Sequence, residues 1–119
     1  MAERPYQRLV AWKEAHALCL WTYELTKSFP NEERFRLVDQ MCRSSASVPT
    51  NIAEGSAKDS KKEQARYYET ALCSLEELHY QFVLSFDLHY ISEKLKLEAD
   101  DRTARVGYLI SRLRASCFR

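Results

Sequence analysis

The stretch that decides the fold is SSASVPTNIAEG, Ser44–Gly55, in the middle of the chain. It places a proline among residues that otherwise have helical spacing. Pro49 has no backbone N–H, and its ring crowds the carbonyl of Ser45, four residues back. We therefore predict a helix that continues through Pro49 with a bend, and serine hydroxyls that bond to nearby backbone. Gly55 is predicted to end this helix in the left-handed conformation.

Polar residues in the same stretch alternate with apolar ones, which favours specific hydrogen bonds. Asn51 and Glu54 neighbour Val48 and Ile52, so we expect at least one of the two polar side chains to have a specific partner. The residues that define this structural motif are Ser47, Pro49, Asn51, Glu54 and Gly55.

Apolar residues at spacings of three and four predict helices on both sides of this stretch. The predicted helices are about Tyr6 to Ser28, Asn31 to Ala53, Ser60 to Leu88, and a fourth that starts at Ser92. The last three begin with side chains that favour N-caps. Short connections between four helices predict an all-α, antiparallel up-down-up-down four-helix bundle, with residues 1–119 as a single domain and helix 2 bent at Pro49.

The bulk composition is that of an ordinary globular protein, with 45% hydrophobic and 29% charged residues. No apolar run follows the N-terminus and none approaches the roughly 18 residues of a membrane span, so we expect no signal peptide and no membrane segment. The four cysteines are scattered, one in each predicted helix. They are typical of reduced, mostly buried core residues in a cytoplasmic protein.

Several motifs together resemble a known family, the four-helix-bundle proteins encoded in intervening sequences of bacterial large-subunit ribosomal RNA genes. The family includes the accessory variability protein of diversity-generating retroelements. The residues that carry the resemblance are Phe29–Phe35, Leu37, Gln40, Arg43, Ser47–Gly55 and Ala71–Leu78. The resemblance implies a homopentameric ring that binds nucleic acid or a protein partner such as a reverse transcriptase.

Basic side chains gather in two parts of a chain whose net charge is only +1. The first group lies on helix 4, where arginines seven residues apart share one side with a tyrosine. The second group surrounds the start of helix 3. The candidate nucleic-acid-binding residues are Arg105, Arg112, Arg119 and Tyr108 in the first group, and Lys58, Lys61, Lys62 and Arg66 in the second. Such residues suit phosphate contacts with base stacking. A solvated face, or pairing with acidic helix 3, would explain the same pattern.

Helix 1 carries more apolar surface than one side of a small bundle needs. The excess residues are Val10, Ala17, Leu20 and Trp21. They indicate either a wide core stripe with one stray leucine or a subunit interface. The family resemblance favours the subunit interface.

Catalytic and metal sites are not expected. Glu76 and His79 form one Glu-x-x-His pattern, whereas a di-iron bundle needs two such patterns and two further glutamates. His89, at the end of helix 3, is predicted to be a cap or a core contact rather than a ligand. We therefore expect a non-enzymatic oligomer without cofactor or metal that binds RNA or DNA. The alternative is a structural or protein-interaction ring without nucleic acid.

Overall fold

The computed structural model describes residues 2–119, and within them it contains helices and no strand. The long helices are α1 (Val10–Thr26), α2 (Leu37–Ser56), α3 (Lys61–Asp87) and α4 (Glu93–Ser116). Short 3₁₀ turns at Pro5–Arg8 and Asn31–Glu33 precede α1 and α2. Within the described part of the chain, no helix combines the length and apolar character needed to cross a membrane.

The helices pack as a closed antiparallel bundle. Each helix contacts the next one in the chain, and α4 returns to contact α1. The most extensive packing is between α2 and α3. The long axis of the molecule is 44 Å, which fits α3, since its 27 residues span about 40 Å at 1.5 Å per residue. The structure thus confirms the predicted all-α four-helix bundle.

The core lies along the bundle axis and receives side chains from all four helices. Its largest fully buried side chains include Leu18, Met41, Val48, Ile52, Leu78, Phe82 and Ile110. Short polar side chains are buried among them, and each finds a nearby acceptor. Thr22 donates to the carbonyl of Leu18 at 2.8 Å, and Thr103 donates to that of Ala99 at 2.8 Å. The core therefore contains polar groups without leaving their protons unbonded.

Helix α2 continues through Pro49, which is buried inside it. Hydroxyls around the proline bond to backbone one turn earlier. Ser45 Oγ donates to the carbonyl of Cys42 at 3.0 Å, and Thr50 Oγ1 donates to that of Ala46 at 2.8 Å. These bonds are the local backbone contacts that the serine-rich stretch predicts. The bend at Pro49 stays a prediction.

Polar side chains also join α2 to α3. Ser44 Oγ donates to Gln81 Oε1 at 2.6 Å, and the hydroxyls of Ser47 and Ser74 lie 2.8 Å apart. Asn51 Nδ2 donates to the carbonyl and the hydroxyl of Ser47, at 2.8 and 3.0 Å. Asn51 thereby holds the Ser47 hydroxyl beside Ser74. In contrast, Glu54 of the same motif is exposed.

The prediction that Gly55 ends helix 2 in the left-handed conformation is wrong. Gly55 is buried inside α2, and no glycine has a positive φ in the described chain. A Cβ at this position would lie 2.8 Å from Tyr67 Cβ and 2.9 Å from Tyr68 Cε1. Gly55 is therefore needed for the close approach of α3. Gly107 of α4 is packed less tightly, since a Cβ there would lie 3.3 Å from Leu75 Cδ2.

Two predicted helix starts also differ from the structure. Asn31 begins a 3₁₀ turn rather than capping helix 2, and α2 starts only at Leu37. The chain from Pro5 to Arg8 forms a separate turn because Leu9 is extended, with ψ of 127°. By contrast, Ser60 and Ser92 are N-caps as predicted, and their hydroxyls accept hydrogen bonds from the backbone N–H three residues later.

His89 caps the end of α3. Among the described residues other than glycine, His89 alone has a positive φ, and its value is 65°. Its N–H bonds to the carbonyl of Phe86 and the N–H of Tyr90 bonds to that of Ser85, both at 2.9 Å. This pair of bonds is the Schellman motif, in which glycine is the usual residue. His89 is exposed, so it acts as a cap and not as a core contact.

Gly55→Ala should lower the free energy of unfolding by about 1 to 2 kcal/mol, because overpacking against Tyr67 Cβ and Tyr68 exceeds the gain in helix propensity. Gly107→Ala is the matched control, since the added Cβ would meet a methyl group of Leu75, which can move. Its stability should stay equal or rise by up to about 1 kcal/mol. Urea denaturation followed by circular dichroism measures both changes. Equal stabilisation by the two alanines would contradict the close-approach role of Gly55.

His89→Gly should raise the free energy of unfolding by about 0.5 to 1 kcal/mol, because glycine adopts the left-handed conformation without steric strain. His89→Ala keeps the Cβ and hence the strain, so it should not stabilise the protein. The same urea titration compares the two variants. If alanine stabilised the protein as much as glycine, the destabilising effect of His89 would come from its imidazole and not from backbone strain.

Candidate nucleic-acid interface

The antiparallel arrangement of α3 and α4 brings the two basic groups of the sequence together. The start of α3 lies beside the end of α4, where Cys117 Sγ approaches Gln64 Oε1 at 3.9 Å and Arg114 Nη2 lies 3.6 Å from Glu69 Oε2. The N-terminal turn reaches the same end, because Arg4, Pro5 and Tyr6 share a groove with residues at the end of α2, namely Ala53, Glu54 and Ser56. We call residues 2–9, 54–69 and 108–119 the basic end.

The basic end has an excess of positive charge. It contains nine lysines and arginines against five carboxylates, whereas the rest of the chain contains nine against twelve. Its basic residues are Arg4, Arg8, Lys58, Lys61, Lys62, Arg66, Arg112, Arg114 and Arg119, and its acidic residues are Glu3, Glu54, Asp59, Glu63 and Glu69. A chain with a net charge of +1 is therefore polarised along the bundle.

The second basic group is the more available of the two. Within residues 2–119, none of its four members has a carboxylate partner within 4.0 Å. Lys61, Lys62 and Arg66 are exposed on the first turns of α3. Lys58 Nζ lies over the ring of Tyr67, 5.2 Å from its centroid. Lys58, Arg66 and Tyr67 line a groove of about 370 Å³ together with Glu63 and Thr70.

The first basic group is divided by the structure. Arg105 forms an ion pair with Glu14 of α1, although both side chains remain partly exposed. Arg112 lies two turns further along and bonds to the hydroxyl of Tyr108, with Nη1 and Oη 3.3 Å apart. Arg119 is exposed beyond the end of α4. Of the three arginines, Arg112 and Arg119 thus belong to the basic end, and Arg105 is engaged within the bundle.

Two further residues at this end were not selected by sequence spacing. The guanidinium of Arg114 lies 5.8 Å from the ring centroid of Phe118, and that ring is 67% exposed. Arg114 is out of the seven-residue register of the other arginines, so the pattern on α4 did not single it out. The predicted antiparallel topology was the signal that could have found it, because it places the end of α4 beside the start of α3.

The predicted interface residues of α1 fall into two classes. Val10 and Leu20 are 54% and 58% exposed, and Ala17 is also exposed between them. Trp21 instead packs against Phe82, with ring centroids 5.6 Å apart, and Arg102 lies 4.8 Å above its ring. Val10, Ala17 and Leu20 therefore form an outer face of α1, which we call the α1 face, whereas Trp21 flanks the core.

The single Glu-x-x-His pattern takes part in an ion-pair cluster between α3 and α4. His79 Nε2 lies 3.0 Å from Asp100 Oδ1, and Lys96 Nζ donates to the same carboxylate at 2.9 Å. The hydrogen bond from Lys96, helped by that with His79, lowers the pKa of the Asp100 carboxyl. Among residues 2–119, no three side chains of the His, Cys, Asp or Glu type are grouped as metal ligands would be.

The four cysteines are free and do not share one environment. Cys19 and Cys117 are buried, Cys42 is half-buried and Cys73 is exposed on α3. Burial raises the pKa of the Cys19 and Cys42 thiols, which disfavours the reactive thiolate. Cys73 departs from the expected core position because it lies on the solvent side of α3.

Comparison with known proteins agrees with this fold. Residues 7–112 match the family model described as 23S rRNA-intervening sequence protein. A solved structure of similar fold is a protein of unknown function from the S23 ribosomal protein family of Bacteroides thetaiotaomicron, with a TM-score of 0.82 and 20% identity over 89% of this chain and 96% of that one. No curated protein matches the sequence significantly. Because the family model covers most of the chain, this protein belongs to the 23S rRNA intervening-sequence protein family.

Proposed function

We propose that this protein is a non-enzymatic, cytoplasmic nucleic-acid-binding protein that contacts RNA or DNA phosphates through its basic end. The observation that carries the proposal is the convergence of two basic groups, far apart in the sequence, at one end of the bundle. Four cations around the start of α3 have no internal carboxylate partner there, so their charge is available to a polyanion. The start of a long helix adds a favourable dipole for phosphate.

The charge excess of one protomer is modest, so repetition of the site is part of the proposal. Family resemblance implies a homopentameric ring, in which five copies of the basic end would engage one nucleic acid. Linked weak contacts raise the overall affinity well above that of a single contact. The exposed α1 face supports association of protomers, because Val10 and Leu20 are more than half exposed and burial against a second copy would remove their apolar surface from water.

The α1 face also supports the second candidate function, a protein-interaction ring that binds no nucleic acid. Apolar docking would not depend strongly on ionic strength, whereas phosphate contacts weaken steeply as salt rises. A titration of RNA and DNA at two salt concentrations therefore separates the two functions. Absence of binding at low salt would leave the protein-interaction ring as the function.

Replacing Lys61, Lys62 and Arg66 together by glutamate should reduce nucleic-acid affinity about tenfold or more, because three phosphate contacts are lost. The slope of log affinity against log salt should fall by about 2 to 3. Fluorescence anisotropy with labelled RNA or DNA measures both quantities. The fold should survive, since these positions are exposed and glutamate is favoured in the first turns of a helix.

The matched control reverses three exposed charges at the opposite end of the bundle, with Arg34, Arg36 and Lys94 replaced by glutamate. This triple variant has the same net charge as the first, so it should retain most of the affinity. Unchanged binding by the α3 variant would remove the basic end as the site. Equal losses in both variants would assign binding to overall charge rather than to this surface.

Leu20→Glu should lower the mass of the assembly towards that of the monomer, because a buried glutamate in an apolar interface is strongly unfavourable. Leu97→Glu is the control, since Leu97 on α4 is exposed to 57% and Leu20 to 58%. Size-exclusion chromatography with light scattering measures the mass. An unchanged mass for the Leu20 variant would show that the α1 face is not the subunit interface.

A further inference from the structure

Aromatic rings accompany the cations at the basic end. Arg112 lies 5.8 Å from the ring centroid of Tyr108, and Arg114 lies 5.8 Å from that of Phe118. Both rings face solvent, with Tyr108 exposed to 60% and Phe118 to 67%. Lys58 and Tyr67 repeat the arrangement in the groove at the start of α3. Each pair offers a flat apolar surface next to a positive charge.

Nucleic acids of different form would use these pairs differently. A duplex presents its phosphates and hides the faces of its bases, so exposed rings would gain nothing from it. A single strand presents unpaired bases, which stack on aromatic side chains while its phosphates contact neighbouring arginines and lysines. The pairing of ring and cation at the basic end is therefore complementary to a single strand rather than to a duplex.

The cations of these pairs retain hydrogen-bonding capacity for a ligand. Arg112 has no carboxylate partner within 4.0 Å among the described residues, and it bonds to the neutral hydroxyl of Tyr108. Arg114 contacts Glu69 only at 3.6 Å, and its side chain is 42% exposed. Neither guanidinium is therefore fully neutralised within the chain.

We propose that the basic end binds single-stranded RNA or DNA, with bases stacked on Tyr108 and Phe118 and phosphates held by Arg112 and Arg114. This inference rests on the proposed function and adds the form of the nucleic acid. The ring of Tyr67 beside Lys58 provides a further stacking position in the groove of α3. The contact is sequence-tolerant, because every base has a face that can stack.

The test compares a labelled single strand, as RNA and as DNA, with the duplex of the same sequence. The strand has about 20 nucleotides, which is long enough to span several stacking contacts. Fluorescence anisotropy at one low salt concentration gives the affinities. The wild-type protein should bind the single strands about tenfold more tightly than the duplex. Tyr108→Leu with Phe118→Leu should weaken single-strand binding about tenfold or more through lost stacking, and duplex binding less than twofold.

Leucine keeps apolar surface at both positions and changes no charge, so the salt dependence should be unaltered. The control is Phe35→Leu with Tyr80→Leu, two rings exposed to 84% and 61% outside the basic end. Phe35 is a close match because Arg34 lies 5.4 Å from its ring. This control should retain single-strand affinity within twofold.

Three results would overturn the inference. Equal affinity for duplex and single strand, or equal loss of both in the Tyr108 and Phe118 variant, would leave phosphate binding intact and remove the stacking role. An equal loss of single-strand affinity in the control variant would show that stacking is not specific to the basic end. Failure of the wild-type protein to bind any strand would instead overturn the proposed function itself, so the two failures are distinguishable.

Discussion

The close packing of α2 against α3 is the constraint on which the rest of the bundle depends. Gly55 leaves no Cβ between the helices, where one would lie 2.8 Å from Tyr67 Cβ. Serines at neighbouring turns are short enough to let the backbones approach, and they bond across the gap through Ser44 to Gln81 and Ser47 to Ser74. Displacing α3 along α2 would break these bonds and leave buried polar groups unpaired. The polar contacts therefore fix the register, and the apolar core supplies most of the stabilisation.

This register places the proposed function at one end. With Gly55 against Tyr67, the connection to α3 closes within a few residues, and Lys58 comes to lie over the same tyrosine ring. The Schellman cap at His89 then returns the chain along α3, so α4 finishes beside the start of α3. The charge excess is thus a consequence of two tight connections, each governed by local packing, and not of a continuous basic run in the sequence.

Sequence reasoning recovered what local chemistry determines. Ser60 and Ser92 cap their helices because the hydroxyl and the backbone N–H that it accepts are three residues apart. Sequence reasoning failed where a contact from another helix determines the role of a residue. A glycine near the end of a helix is typical of a C-cap. Gly55 instead lies inside α2, where the absence of a Cβ allows α3 to pack closely. His89 is the cap that the sequence analysis allowed for, but its left-handed backbone, with φ of 65°, was not predicted because glycine is the usual residue there.

The candidate site follows the same division. Both basic groups and the outer face of α1 could be read from spacing, because helical periodicity sorts residues by side. The ion pairs that these residues form could not be predicted from spacing. Arg105, for example, pairs with Glu14, which lies 91 residues away in the sequence. Likewise, Trp21 shares the outer flank of α1 by spacing alone, but Phe82 and Arg102 cover it in the bundle.

The two proposed surfaces are compatible because they occupy different parts of the bundle. The α1 face runs along the side, and the basic end lies at the end of the long axis. Protomers related by rotation about one axis make identical contacts and point the same way along it. If they associate through the α1 face with their helices along that axis, every basic end faces the same side of the ring. A flexible single strand could then pass from one protomer to the next, whereas a stiff duplex could not follow so short a circle.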